Sequence, residues 1–195
     1  MRNSIKALLT ATVAVMIGAG AMTGPAEASV SQGWVAATTN WLGDDWDDEG
    51  EVSRNSHAYS GATGLWQAVL WADGAIESNG TRYDAEDIDC EFGPNTEAAT
   101  RSWQRTTGGL SVDGQAGPRT WTAAGDHLVL DGWYEDAAIV KYVGRYGGRS
   151  FRVYRFPLDG SSTAGAYFTV AWDWSYFTYD YKPSHCAGVP GVLAS

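Results

Sequence analysis

The sequence predicts an α+β fold, with a small three-helix bundle followed by an antiparallel β-rich extension. Three observations carry this reading. One pattern, D-x-x-x-G-P-x-T, occurs at Asp89–Thr96 and again 24 residues later at Asp113–Thr120. Apolar residues before and between the copies recur at helical spacing. After about residue 128 that spacing gives way to alternation, the mark of strands with one buried face.

Each element follows from local chemistry. Residues 29–58 hold Trp34, Trp41 and Trp46 and the acidic run Asp44–Glu51, and read as an irregular leader whose aromatics pack on the rest. A first helix is expected over Ala62–Ala72. Thr63, Trp66 and Leu70 share its face, Leu65 and Val69 widen the stripe, and Asp73-Gly74 stops it. In each repeat the aspartate (Asp89, Asp113) favours a turn and the glycine (Gly93, Gly117) tolerates it. The proline (Pro94, Pro118) then fits the first helical position, where its missing N–H costs nothing. A second helix therefore runs from Pro94 to about Thr106, with Ala99 and Trp103 on one side, and a short third starts at Pro118 and carries Trp121 and Ala124. Strands are expected over Ile139–Tyr146, Ser150–Phe156 and Ala166–Trp174, with Gly147-Gly148 as a hairpin turn. A sheet of three or four strands is too small to stand alone, so it should pack on the helices or the leader.

The residues around the repeats resemble a known family. Trp66-Gln67, Leu70 and Gly74 precede the first copy. Thr96, Ala99, Trp103-Gln104, Gly109-Leu110 and Val112-Asp113-Gly114 follow it, and Trp121 closes the second after Thr120. This is similar to the peptidoglycan-binding module appended to many bacterial wall hydrolases, over about residues 59–128. The stretch G-L-x-x-D-G-x-x-G-P-x-T-W is intact, whereas Cys90 stands where the first copy has a glycine in the family, and residues 75–87 are longer and more polar. The resemblance implies a three-helix module in which Trp66, Trp103 and Trp121 form the core. It also implies that glycan or stem peptide binds on the exposed surface between the first and second helices. Tyr83, Asn95, Arg101 and Gln104 are the candidate contacts, with Gln67 and Gln104 also suited to holding loop backbone through their amides. The partition expected is an export signal over 1–28, the leader over 29–58, the module over 59–128 and the extension over 129–195.

Charge and composition narrow the partners. Arg2 and Lys6, the apolar run Ala7–Ala19 and the A-x-A site Ala26-Glu27-Ala28 read as a cleavable export signal, so no membrane association is expected after its removal. The chain has 13 basic and 23 acidic residues; without residues 1–28 these become 11 and 22, a net charge of −11. Nucleic acid and other polyanions are therefore disfavoured, whereas glycan or peptide is compatible. Cys90 and Cys186 are the two cysteines, and in an exported chain they read as one disulfide.

Catalytic and metal signals are weak. His57, His127 and His185 show no paired ligand spacing, so no metal and no cofactor are expected. Taking Asp45 as the first position of a calcium loop places Ser56 where a bidentate glutamate belongs, so that run reads as a solvated acidic loop. Glu86, Asp87, Asp89 and Glu91 offer paired acids, but read more simply as a solvated turn. The expected function is a secreted, non-catalytic peptidoglycan-binding module. Two alternatives remain open: a protein-interaction module using the aromatic extension, and a wall hydrolase with an unrecognised active site.

Overall fold

A computed structural model describes residues 33–37, 42, 45–157, 165–169 and 177–179. Among them are three helices, α1 (Gly61–Asp73), α2 (Pro94–Thr107) and α3 (Pro118–Gly125). Five strands, β1 (Ala36–Ala37), β2 (Leu128–Tyr134), β3 (Ala137–Val143), β4 (Ser150–Pro157) and β5 (Gly165–Thr169), form one antiparallel sheet in the order β1-β5-β4-β3-β2. The fold is thus α+β, a helical module followed by a sheet. The expected signal, Trp172, Trp174 and Cys186 lie outside the described residues.

The helix ends obey the turn chemistry. Pro94 and Pro118 occupy the first turns of α2 and α3, after extended Gly93 and Gly117. Ser60 caps α1, accepting from the Thr63 N–H at 3.0 Å. At its other end Gly74 takes φ 61° and donates back to Leu70 and Trp71. Here α1 differs from an amphipathic surface helix: all but Trp71 and Asp73 are buried. It packs against α2, β3 and β4.

The sheet departs from expectation at both edges. β2 was not among the expected strands, and within it the register against β3 shifts between Leu130 and Gly132. At the other edge the leader supplies β1, with Ala36 opposite Ala166. The acidic run is not solvated either. Asp45 is fully buried beside Arg155, itself 2% exposed, at 2.9 Å, and Tyr167 also donates to it. Glu49 is fully buried too, accepting from the Ala36 N–H and the Tyr179 hydroxyl. Asp45 and Glu49, two of the carboxylates that suggested calcium, are satisfied by protein donors more than 100 residues downstream, with Ala36 as the local exception.

One aromatic chain joins module and sheet. Trp103 meets Trp66 at 5.2 Å, Trp66 meets Trp121 at 5.3 Å, and Trp121 meets Trp46 of the leader at 5.5 Å. Trp46 then stacks on Tyr142 at 6.1 Å, and Tyr142 on Phe151 at 5.0 Å. Such contacts add about 0.5–1.5 kcal/mol each beyond the area they bury. The leader tryptophan is the bridge, so helices and sheet share a single core.

Candidate functional site

The two copies of the repeat build the same turn, atom for atom. In the first, Gln67 Oε1 accepts from the Cys90 N–H at 2.7 Å, while its Nε2 donates to Asp89 Oδ1 at 2.8 Å, Glu91 O at 3.1 Å and Thr96 Oγ1 at 3.3 Å. In the second, Gln104 Oε1 accepts from the Gly114 N–H at 2.9 Å. Its Nε2 donates to Asp113 Oδ1 at 2.8 Å, Gln115 O at 2.9 Å and Thr120 Oγ1 at 3.3 Å. The residue after each aspartate has a positive φ, 60° at Cys90 and 75° at Gly114. Cysteine thus takes a left-handed conformation that glycine adopts without strain.

The second turn frames an open groove. Gly114 sits so close to α2 that an added Cβ would fall 2.8 Å from Glu97 and 2.9 Å from Arg101. Arg101 donates to the Val112 carbonyl at 2.9 Å and pairs with Glu97 at 2.8 Å, and Glu97 meets Arg54 at 3.4 Å. The Arg101 hydrogen bond, with help from Arg54, holds the Glu97 carboxyl below its usual value. These side chains, with Asn55, Asp113 and Gln115, line a hollow of about 430 Å³. A neighbouring hollow of about 240 Å³ shares Asp113 and Gln115 and adds Leu110, Pro118 and Arg119. Together they offer donors and acceptors on a rigid frame, suited to hydroxyls and amides.

The sequence of this unit matches a family model described as a putative peptidoglycan binding domain, over residues 68–124. The helical unit is a peptidoglycan-binding-like domain. The match spans both repeated turns, and the C-terminal part has no family match. No curated protein and no solved structure gives a significant match to the chain.

Within the peptidoglycan-binding-like domain the four candidate contacts separate. Tyr83 is 1% exposed, bonded to Thr96 Oγ1 and to the Asp87 carbonyl, and burial pushes its hydroxyl pKa far up. Gln104 is 1% exposed and its amide is committed to the turn. Both were expected as contacts and both lie inside the scaffold. Asn95 stays half-buried at the surface, between Ser78 and Asp87. Only Arg101 of the four lines the groove. Trp66, Trp103 and Trp121 are buried, so no tryptophan of the domain offers the groove an aromatic plate. Arg54 and Asn55 come from upstream of the matched segment, and the motif carries no signal for them.

The acidic turn is not a matched pair across a cleft. Glu86 and Asp89 are exposed, and Glu91 accepts from the Tyr59 hydroxyl. Asp87 is drawn up by burial and by the nearby Glu77 carboxyl.

A second cleft, of about 380 Å³, lies where the sequence placed the ligand surface, between α1 and α2. The domain does not build it alone. Arg145, from the turn joining β3 and β4, reaches across Trp103 at 4.9 Å and pairs with Asp73 at 2.8 Å. Asp73, its side chain 1% exposed, also accepts from Trp103 Nε1 at 2.6 Å, the Tyr142 hydroxyl at 3.0 Å and the Arg145 N–H at 2.8 Å. Tyr146 of the same turn presses on Gly74, where a Cβ would fall 2.6 Å from its ring. Arg149 donates to the Trp71 carbonyl at 2.8 Å. Cations thus cluster at the negative end of the α1 dipole.

Proposed function

We propose that this protein is an exported, non-catalytic module that binds peptidoglycan non-covalently through the groove over its second repeated turn. One observation carries the reading: the family match falls on the unit whose best-preserved turn frames the open polar groove. Peptidoglycan binding in general follows from the match. The groove lining supports contact with uncharged hydroxyls and amides of glycan or stem peptide. A domain of this kind works at the cell wall or outside the cell. The titration of a soluble disaccharide–peptide fragment against the protein tests the site. Arg54→Ala with Asn55→Ala, both exposed and remote from the core, should weaken binding several-fold without changing the melting temperature. Unchanged binding in that double variant would remove the groove from the account.

We infer too that Cys90 bonds to Cys186, for no free cysteine stands among the described residues. A bond there would tie the C-terminal end to the first turn. Intact mass before and after reduction decides it, since reduction of a bonded pair adds two hydrogen atoms.

A second reading, protein interaction through the sheet, is favoured by one observation. The edge strand β2 exposes Val129, Leu130, Trp133 and Tyr134, the tryptophan to 60%. A Trp133→Ser variant that kept wall binding but lost a pulled-down secreted partner would establish it.

A further inference from the structure

We propose that Glu77, Asp87 and Asn95 form a divalent-cation site suited to calcium, which fastens the polar loop of residues 75–87 to the start of α2. This loop is the stretch that runs longer and more polar than the family pattern. It is built from two short turns. In the first, the Tyr83 N–H donates to the Ala75 carbonyl at 2.9 Å and the Glu77 N–H to the Thr81 carbonyl at 2.9 Å, with Gly80 at φ 86° near the tip. In the second, the Asp84 N–H donates to Asp87 Oδ2 at 2.9 Å, and the Tyr83 hydroxyl donates to the Asp87 carbonyl at 3.0 Å. The two turns bring Glu77 and Asp87 together.

Each acid spends one oxygen on the loop and leaves one over. Glu77 is 7% exposed. Its Oε2 accepts from Thr81 Oγ1 at 2.7 Å, whereas its Oε1, closed off from solvent, takes no hydrogen bond. The side chain it meets is another acid, Asp87. Asp87 Oδ1 has a single long contact of 3.4 Å, from Asn95 Nδ2. A buried carboxylate oxygen without a donor is costly, and two acids in contact repel. One shared proton or one cation relieves both. Carboxyl protons ordinarily leave near about pH 4, so at neutral pH the neutraliser is a cation.

The donor set selects the ion. Among the described residues no three His, Cys, Asp or Glu side chains gather at metal-ligand spacing, so the third ligand is neutral. Asn95 follows Pro94 in the first turn of α2, and its Oδ1 accepts from Ser78 Oγ at 3.3 Å. Turning that amide over puts Oδ1 on the ion and lets the Ser78 hydroxyl accept from Nδ2. Calcium tolerates such an irregular set of oxygens and completes it with water, whereas magnesium demands a near-ideal octahedron. Two carboxylates balance one dication, and a chain of net charge −10 draws cations to its surface.

The test titrates calcium chloride into the chelator-treated full chain by calorimetry, with magnesium chloride at equal ionic strength as the control. The expected result is one saturable equivalent of calcium with a Kd of about 0.1–1 mM, the range of extracellular calcium modules, and weaker magnesium binding. Glu77→Gln and Asp87→Asn should each weaken calcium binding about ten-fold or more. Their melting temperatures in calcium-free buffer should hold or rise, because a repulsion is removed. Glu86→Gln, a change at an exposed neighbouring acid, should bind calcium as the wild type does. An absence of calcium binding, magnesium binding as tightly, wild-type affinity in Glu77→Gln or Asp87→Asn, or an equal loss in Glu86→Gln overturns the proposal. So does a melting temperature that responds to acid but not to calcium, for a proton then neutralises the pair.

Discussion

Arg145 reaches 72 residues back in sequence to pair with Asp73 at 2.8 Å, and this contact locks the β3–β4 turn onto the end of α1. The carboxylate is nearly enclosed and takes hydrogen bonds from Trp103 and Tyr142 besides. Asp73→Ala leaves those donors unpaired inside the core. It should cost about 3 kcal/mol, discounted because Arg145 retains 32% exposure. Urea denaturation followed by tryptophan fluorescence measures this, and a loss below about 1 kcal/mol would make the hub dispensable.

The duplicated glutamine brackets give a paired prediction. Gln67→Ala strands the Cys90 N–H and Gln104→Ala strands the Gly114 N–H, each losing four hydrogen bonds of matching geometry. Each change should cost about 2–3 kcal/mol, and the two costs should be similar. A cost confined to one copy would show that the symmetry of contacts is not a symmetry of energy.

Glu49 makes stability fall with rising pH. Burial first, then the neighbouring Asp48 and Asp45 carboxylates, raise its pKa well above the usual value, against the pull of Tyr179 and the Ala36 N–H. Its folded pKa exceeds its unfolded one, so the folded state holds the extra proton between the two. Its contribution is therefore complete below the unfolded value of about 4.3 and declines as pH climbs toward the folded value. Glu49→Gln, neutral and nearly the same shape, should raise the melting temperature at pH 7 and flatten its fall above pH 5. A lower melting temperature at pH 7 in this variant would reverse the sign of the account.

Cys90 sits at φ 60° where its counterpart is Gly114 at 75°. Under reducing conditions, Cys90→Gly should stabilise by up to about 1 kcal/mol by relieving that backbone. Under oxidising conditions the same change should destabilise, because the inferred bond to Cys186 is lost. Opposite signs in the two buffers are the observable, read from paired thermal melts.

The sequence disclosed the helices because their signals are local. Pro94 and Pro118 set starts, Gly74 sets a stop, and the four residues around each proline decide its turn. The core tryptophans and the glutamine amides were legible for the same reason, each lying within one motif. What stayed hidden depends on partners distant in sequence. Asp45 and Glu49 look like solvated acids until Arg155, Tyr167 and Tyr179 arrive from more than 100 residues away. β2 was not read as a strand because a bulge between Leu130 and Gly132 interrupts it and its residues are mostly exposed rather than alternately buried. Tyr83 resembled a surface ring in a polar loop, but that loop folds back and buries it against Thr96. Arg54 and Arg145 belong to the two hollows yet lie outside the motif, so only the fold brings them there.

Sedimentation of the purified chain with insoluble peptidoglycan in about 1 M salt tests the central claim most directly. There the Debye length shrinks to about 3 Å and diffuse charge attraction is screened. Binding through a shaped groove of hydrogen-bonding groups predicts that the protein stays in the pellet at high salt. Recovery of the protein in the supernatant, at high and low salt alike, would contradict the account.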